Sequence, residues 1–342
     1  MKKNILVRVD YSSLNGLGHI IRQINFLKKL DKNFFFYILS NKSNINISFI
    51  LSRNTSLIKI STIKNKKIQF EKDAKITLKI LKKYKCDYLI VDNYLLSSQW
   101  YNLVYTNFKN LIVFHDYKSN FKFKYLFNNQ RKASNLIKIN ELGFLNNEII
   151  KKRLYKKNLN FKRFIIDFGS IDNNNLTSSI LEHIIKNNIT YERIDVFLGP
   201  FNKNRNQIKQ KYKSFSKISF YELKIPKKYN YHSGIFLGSA GITSLENLYL
   251  GKILFIFASS NNQIERLKYL RRKKNVYHLG SLMNNKKINL DKYLNNRFLI
   301  KSINAYNFNL FSEMKSKEIL KLNKYTEFIN KTLNGSNENK KF

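Results

Sequence analysis

The chain has 342 residues, of which 43% are hydrophobic and 14% aromatic, enough material for two packed domains of roughly 150 residues each. Lysine and arginine number 63 against 22 aspartate and glutamate, a formal net charge of +41. These lysines are spread over nearly every segment, which argues against a dedicated nucleic-acid surface, although the excess favours anionic ligands. The single cysteine, Cys86, excludes an internal disulfide and a multi-cysteine metal site.

The sequence predicts neither a signal peptide nor a membrane-spanning segment. The N-terminal strand-like run before Asp10 is too short for the core of a signal peptide. The apolar run at 34–39 is far shorter than the roughly 20 residues that span a bilayer. We therefore expect a cytoplasmic protein without stable membrane insertion.

Short β-branched or aromatic runs alternate with segments of helical period, which predicts parallel α/β architecture. Strands are predicted at 4–10, 34–39, 56–61, 87–92 and 110–114, with helices near 19–30, 70–83 and 97–106. The second half repeats the alternation, with strands at 164–168, 192–198, 234–238 and 252–257 and helices near 176–187, 243–250 and 262–273. One or two further helices are predicted within 305–333.

The domain organisation follows from a break in this pattern. Residues 151–163 are basic and carry few large apolar groups, and a new buried strand follows them. We predict an N-terminal Rossmann-like domain at 1–155, a C-terminal Rossmann-like domain at 156–333 and a disordered tail at 334–342.

The first candidate site is the segment DYSSLNGLGH at 10–19, between the first strand and the first helix. Open α/β sheets bind ligands at such turns, and Gly16 and Gly18 allow the backbone to approach a ligand closely. His19 can accept a proton at neutral pH, because an unperturbed imidazole has a pKa of about 6.5. Spacing alone leaves open whether His19 is a catalytic base or only caps the helix.

The second candidate site is the segment GSAGITSLE at 238–246, again between a buried strand and a helix. Backbone N–H groups near Gly241 and the hydroxyl of Thr243 could bind phosphate oxygens, and Glu246 could bind ribose hydroxyls. A capping box formed by Thr243 and Glu246 is the competing interpretation.

Two further polar groups follow predicted strands. Asn262 and Gln263 follow the strand at 252–257, and their amides could bind sugar hydroxyls or acetamido groups. Tyr94 lies in the segment VDNY at 91–94, where its hydroxyl could reach a sugar. Each of these taken alone is more simply explained as loop capping.

Together and in order, these segments resemble the pseudaminic-acid pathway hydrolase family, UDP-2,4-diacetamido-2,4,6-trideoxy-β-L-altropyranose hydrolase, and the related spore-coat polysaccharide proteins. The opening RVDYSSLNGLGHIIR at 8–22 is similar to that family's Arg-x-Asp…Gly-x-Gly-His-x-x-Arg pattern. The similarity continues at VDNYLL (91–96), FHDY (114–117), FGSIDNNNLT (168–177), GSAGITSLE (238–246) and NNQ (261–263).

The resemblance implies a GT-B-like α/β fold in which two Rossmann-type, doubly wound domains face a cleft. It implies metal-independent hydrolysis, without a cofactor, of a small-molecule nucleotide-sugar by water attack at the anomeric carbon. The same resemblance assigns the nucleotide to Gly241, Thr243 and Glu246, the sugar to Asn262 and Gln263, and catalysis to His19 with Tyr94. We add that Asp10 orients the imidazole.

Three positions depart from the family pattern: Ser170 stands where a second glycine is usual, His115 where an aspartate is usual, and Lys252 where a proline is usual. A GT-B glycosyltransferase of surface polysaccharide biosynthesis, in which an acceptor hydroxyl replaces the water, remains the alternative. A basic nucleic-acid-binding protein is the third interpretation and the least favoured.

Overall fold

Two compact units make up the chain. The computed structural model describes residues 2–13, 15–30, 33–65, 67–115, 120–128, 136–138, 144–151, 159–260, 263–281, 290–306, 319, 322–324 and 326–334. By contacts, the first unit comprises Met1–Phe144 with Leu320–Phe342, and the second comprises Leu145–Ile319.

This division differs from the predicted one at 155 and 333. The C-terminal segment belongs to the first unit, because Lys3 Nζ donates to the carbonyl of Leu333 at 2.8 Å and the Tyr88 hydroxyl donates to the carbonyl of Thr332 at 3.4 Å. Local sequence pattern does not predict that a C-terminal segment packs on the N-terminal unit, because the contacts join residues far apart in the chain. Of the predicted tail at 334–342, residues 335–342 lie outside the described residues.

The first unit is built on parallel strands. Its described elements in chain order are β1 (Lys3–Val9), α1 (Gly18–Leu27), β2 (Phe34–Asn41), β3 (Thr55–Ile60), β4 (Ile63–Lys64), β5 (Lys67–Ile68), α2 (Phe70–Lys83), β6 (Tyr88–Asp92), α3 (Ser98–Asn107), β7 (Leu111–Phe114), β8 (Tyr125–Asn128) and β9 (Leu136–Lys138). Within the described residues the main sheet has the order β3-β2-β1-β6-β7-β8-β9, with β4 and β5 as a separate antiparallel pair. The strand order reverses between β1 and β6.

The second unit repeats this plan. Its described elements are α4 (Asn147–Lys151), β10 (Asn160–Asp167), α5 (Leu176–Lys186), β11 (Arg193–Phe197), α6 (Arg205–Lys211), β12 (Ile218–Tyr221), α7 (Lys227–His232), β13 (Ser233–Ser239), α8 (Ile242–Tyr249), β14 (Ile253–Ala258), α9 (Ile264–Leu270), β15 (Val276–Ser281), α10 (Leu290–Tyr293) and α11 (Asn296–Asn304). The strands described here pair in parallel in the order β12-β11-β10-β13-β14-β15, which reverses between β10 and β13.

Local sequence explains these elements. The central strands β6, β13 and β14 are buried along their whole length, as parallel strands covered on both faces require. Helix α2 carries Glu71 and Asp73 in its first turn and Lys82 and Lys83 in its last, which matches the helix dipole. The predicted α/β class with two Rossmann-type units is confirmed.

Most predicted strands are present within two residues of their expected ends. The pattern missed the strands β4, β5, β8, β9, β12 and β15 and the helices α4, α6, α7, α10 and α11. In the part of the chain that the structure describes, no helix is long and apolar enough to cross a bilayer.

Lys252 is a buried lysine immediately before β14. Its side chain is 0% exposed, and Nζ donates to Asn230 Oδ1 at 2.7 Å. Burial lowers the pKa of Lys252 well below its ordinary value, although the carboxylate of Asp195 acts in the opposite direction. The unfolded chain therefore binds a proton at this amine that the folded chain does not hold, over the pH interval between the two pKa values.

We predict that Lys252→Met flattens the dependence of stability on pH. In the wild type, the free energy of unfolding should rise by up to about 1.4 kcal/mol per pH unit from this amine alone, up to a pH of about 10. Scanning calorimetry from pH 6 to 9.5 measures the difference, with the exposed Lys203→Met as control. Parallel curves for wild type and Lys252→Met would show that the buried amine is charged.

Candidate functional site

The first unit brings its polar residues together where the strand order reverses. Strand β1 pairs with β2 on one side and with β6 on the other, so the carboxyl ends of β1 and β6 flank this point. Ligands of open α/β sheets bind at such a point. Asp10 follows β1, Asp92 ends β6, and His19 lies in the first turn of α1.

His19 is held by a buried carboxylate. Its Nδ1 lies 2.7 Å from Asp92 Oδ1, and the imidazole is 14% exposed while Asp92 is 0% exposed. Because a carboxylate accepts, Nδ1 carries the hydrogen and Nε2 of the neutral ring carries the lone pair. Leu17 occupies the N-cap of α1 with no side-chain cap, so the capping interpretation of His19 is wrong.

Besides His19, three N–H groups donate to the Asp92 carboxylate. Arg22 Nε donates to Oδ2 at 2.5 Å, Arg22 Nη2 donates to Oδ1, and Gln23 Nε2 donates to Oδ2 at 2.7 Å. Burial alone would raise the pKa of Asp92, but the charges of Arg22 and His19 and their hydrogen bonds hold it well below its usual range. Asp92 is therefore ionised at neutral pH.

Aromatic rings surround the imidazole. Tyr94 packs edge to face against His19 with ring centroids 4.5 Å apart, and its hydroxyl accepts from Arg22 Nη2 at 3.2 Å. His115 also packs edge to face against Tyr94, with ring centroids 5.2 Å apart. The structure thus places Tyr94 beside His19, as the sequence predicts, and adds His115.

Asp10 has a different place from the predicted one. Its carboxylate accepts hydrogen bonds from Arg8 Nη1 at 2.6 Å, from the backbone N–H of Asn41 at 2.7 Å and from the side-chain amide of Asn93 at 2.8 Å. Arg8 also donates to Asp73 at 2.8 Å, in a network that is entirely buried. Asp92, and not Asp10, orients the imidazole, because the end of β6 faces α1 while Asp10 is occupied by its own arginine.

The two predicted glycines of this turn have different roles. Gly16 has a φ of 66°, which only glycine adopts without strain, and its N–H donates to the carbonyl of Ser12 at 2.7 Å. Among the described residues, no atom lies within 4 Å of a Cβ added at Gly18, so they leave space in front of the first turn of α1. The turn therefore leaves room for a ligand beside His19.

The second unit presents a similar point between β10 and β13. Gly241 occupies the N-cap of α8 and Thr243 lies in its first turn, so the predicted capping box of Thr243 and Glu246 does not form. The Ser244 hydroxyl donates to the carbonyl of Gly241 at 2.6 Å. Glu246 Oε1 accepts from the backbone N–H of Asn146 at 3.1 Å, which connects α8 to the segment before α4.

Asp167 is a residue of this site that the sequence analysis missed. It ends β10, beside Gly238 of β13, and its Oδ1 accepts from the backbone N–H of Gly169 at 2.8 Å. Burial raises its pKa to about 6, against the opposite effects of the Gly169 N–H and the Thr243 hydroxyl. An acidic residue at the carboxyl end of a buried strand was the signal available in the sequence.

The remaining predicted site residues are Asn262 and Gln263. Gln263 Oε1 accepts from the backbone N–H of Ser259 at 3.0 Å and from its hydroxyl at 3.2 Å, so this oxygen binds the residue that follows β14. Asn262 lies outside the described residues. No group of three or more acidic, histidine or cysteine side chains that could hold a metal ion occurs among the described residues.

Comparisons with known proteins identify the fold. No protein-family model matches the chain. The uncharacterized protein MJ1062 of Methanocaldococcus jannaschii is 24% identical over 305 residues, which cover 81% of this chain and 60% of that protein. The chain thus spans less than two thirds of the length of this curated relative.

Solved structures match over almost the whole chain. MurG of Acinetobacter baumannii superposes with a TM-score of 0.57 at 13% identity, covering 92% of this chain and 94% of MurG. A UDP-glucosyltransferase of Polygonum tinctorium gives 0.58 at 9% identity, covering 96% and 94%. The UDP-GlcNAc 2-epimerase of M. jannaschii, in complex with UDP-GlcNAc and UDP, gives 0.55 at 15% identity, covering 90% and 92%. The chain has a GT-B-like fold.

We predict that the Asp92–Arg22 pair is strongly coupled. Asp92→Asn leaves the Arg22 charge buried without its carboxylate and should cost about 3–5 kcal/mol of unfolding free energy. Adding Arg22→Met removes that unpaired charge. The loss of unfolding free energy in the double variant should therefore be smaller than the sum of the losses in the two single variants, by more than about 1 kcal/mol. Urea denaturation followed by fluorescence of Trp100, the one tryptophan, reports on the first unit. Strict additivity would contradict the arrangement.

Proposed function

We propose that the protein is a nucleotide-sugar hydrolase that releases UDP from a UDP-diacetamido-trideoxyhexose by water attack at the anomeric carbon. The observation that carries the proposal is the His19–Asp92 pair at the strand-order reversal of a GT-B-like fold. The solved structures that share this fold include a UDP-glucosyltransferase and an epimerase in complex with UDP-GlcNAc.

In the proposed reaction, His19 is the general base. Asp92 fixes the tautomer that leaves Nε2 free of hydrogen, so Nε2 can accept a proton from water as the water oxygen bonds to the anomeric carbon. The imidazolium that forms is stabilised by the Asp92 carboxylate. Tyr94 confines the ring through its edge-to-face contact. No step is assigned to a metal ion.

The second unit is proposed to hold the nucleotide. Backbone N–H groups at the start of α8, near Gly241 and Thr243, bind the diphosphate, because a helix N-terminus favours anions. Glu246 binds the ribose hydroxyls, and Asn262 and Gln263 lie toward the sugar. The leaving group of the reaction is UDP, which departs with the bonding electrons of the glycosidic C–O bond.

The second candidate function is glycosyl transfer. The fold shared with MurG and with the Polygonum tinctorium UDP-glucosyltransferase favours it. An acceptor hydroxyl would then take the place of water beside His19, with the same base and the same leaving group. The two functions differ only in the nucleophile.

We predict that the purified protein releases UDP and free sugar from UDP-diacetamido-trideoxyhexoses without an added acceptor. His19→Ala should lower kcat about 10²–10⁴-fold, because a positioned base contributes that much. His19→Asn keeps a donor for Asp92 but no base, and should be as slow as the alanine variant. The exposed His232→Ala is the control with unchanged kcat. Turnover only with an acceptor would support transfer instead, and near-normal kcat in His19→Ala would refute the assigned base.

We predict that Glu246→Ala weakens UDP binding about 10–100-fold, as loss of hydrogen bonds to a charged group does. The exposed Glu182→Ala, also on a helix of the second unit, serves as control. Titration calorimetry with UDP measures both affinities. Equal affinities would place the ribose elsewhere.

A further inference from the structure

Asp167 lies where two loops of the second unit meet. One loop follows β10 and begins at Phe168, and the other follows β13 and leads to α8. In the sheet, Asp167 pairs with Gly238, where an added Cβ would lie 2.1 Å from the Asp167 carbonyl oxygen. The glycine permits this close approach of the two strand backbones. The carboxyl of Asp167 hydrogen-bonds to the hydroxyl of Thr243, which lies in the first turn of α8.

A second buried acid lies in the same loop. Asp172 accepts from the backbone N–H groups of Leu176 and Thr177 at 2.9 and 3.0 Å and so caps α5. Each of the two acids is 8% exposed. Burial raises the pKa of Asp172 as well as that of Asp167, and the Asp172 charge raises the pKa of Asp167 further.

The buried acids of the two units differ in their charged neighbours. There, Asp10 and Asp92 are each bound by an arginine, which keeps them ionised. Within the described residues, the ionisable group that shifts the pKa of Asp167 is another acid, Asp172. A bound diphosphate would add further negative charge at this edge of the sheet, which disfavours the ionised carboxyl. A neutral carboxylic acid, in contrast, can donate a hydrogen bond to a phosphate oxygen.

We propose that Asp167 takes up one proton from solvent when a nucleotide diphosphate binds, and that the neutral acid donates toward the diphosphate. This inference rests on the proposed function, which assigns the diphosphate to the start of α8. It makes binding depend on pH. Affinity is highest where Asp167 is already protonated and falls as the pH rises above about 6.

The test measures binding of UDP-GlcNAc by titration calorimetry from pH 5.5 to 8.5. UDP-GlcNAc is the probe because its phosphate diester does not titrate in this range, whereas the terminal phosphate of UDP does. In the wild type, the dissociation constant should rise about tenfold per pH unit above about pH 6.5. In buffers of different ionisation enthalpy, about one proton should be taken up per ligand at pH 7.5.

Asp167→Asn is the decisive variant, because its amide keeps the acceptor for Gly169 and donates as the neutral acid would. It should bind at all pH values with the affinity of the wild type at pH 5.5, and without proton uptake. The exposed His232→Ala, outside the proposed site, should keep the pH dependence of the wild type. Asp172→Asn should keep the slope and shift its onset to lower pH, since it removes the charge that raises the pKa of Asp167.

The outcomes separate the two proposals. Binding of UDP-GlcNAc with a pH-independent dissociation constant, or the same slope in Asp167→Asn as in the wild type, overturns the proton uptake and leaves the nucleotide site standing. If the pH dependence disappears in Asp172→Asn but persists in Asp167→Asn, Asp172 is the group that takes up the proton. That result also overturns the proposal for Asp167. No binding at any pH overturns both the nucleotide site and this inference.

Discussion

The Asp92 carboxylate is the constraint on which the first unit depends. A charge with no exposure to solvent is stable only when donors surround it, and Arg22, Gln23 and His19 supply them from successive turns of α1. The helix must therefore lie with this face toward the end of β6. The same contacts that satisfy the buried charge fix the ring of His19, so the orientation of the proposed base and the packing of the helix share one cause.

The second unit has the same strand-order reversal as the first, but the acid beside it has different neighbours. Its strand order also reverses at the centre of the sheet, between β10 and β13, and a glycine-bordered loop again precedes a helix. The acid at this point, Asp167, has a backbone N–H and a hydroxyl as neighbours instead of an arginine. The first unit thus holds an ionised carboxylate beside His19, whereas burial in the second unit favours the neutral form of Asp167.

Sequence pattern predicted the parts of the fold that rest on local physics. Helix α2 was predicted at 70–83 and runs from Phe70 to Lys83, because its apolar stripe and charged ends are both local signals. Strands β12 and β15 were missed because they are only partly buried and lack a continuous apolar run. For the site, the family resemblance grouped His19 with Tyr94, which the structure places side by side, but our added inference that Asp10 orients the imidazole was wrong. His19 and Asp92 are 73 positions apart in the chain, so local motif spacing does not predict which of the two carboxylates contacts the imidazole.

The central claim is that the nucleotide belongs to the second unit and the base to the first. A crystal structure with UDP bound tests it most directly. The account predicts diphosphate oxygens within hydrogen-bond distance of the backbone near Gly241 and Thr243, and ribose hydroxyls at the carboxylate of Glu246. Density for UDP at the turn of Gly16 and Gly18, with the start of α8 unoccupied, would contradict it.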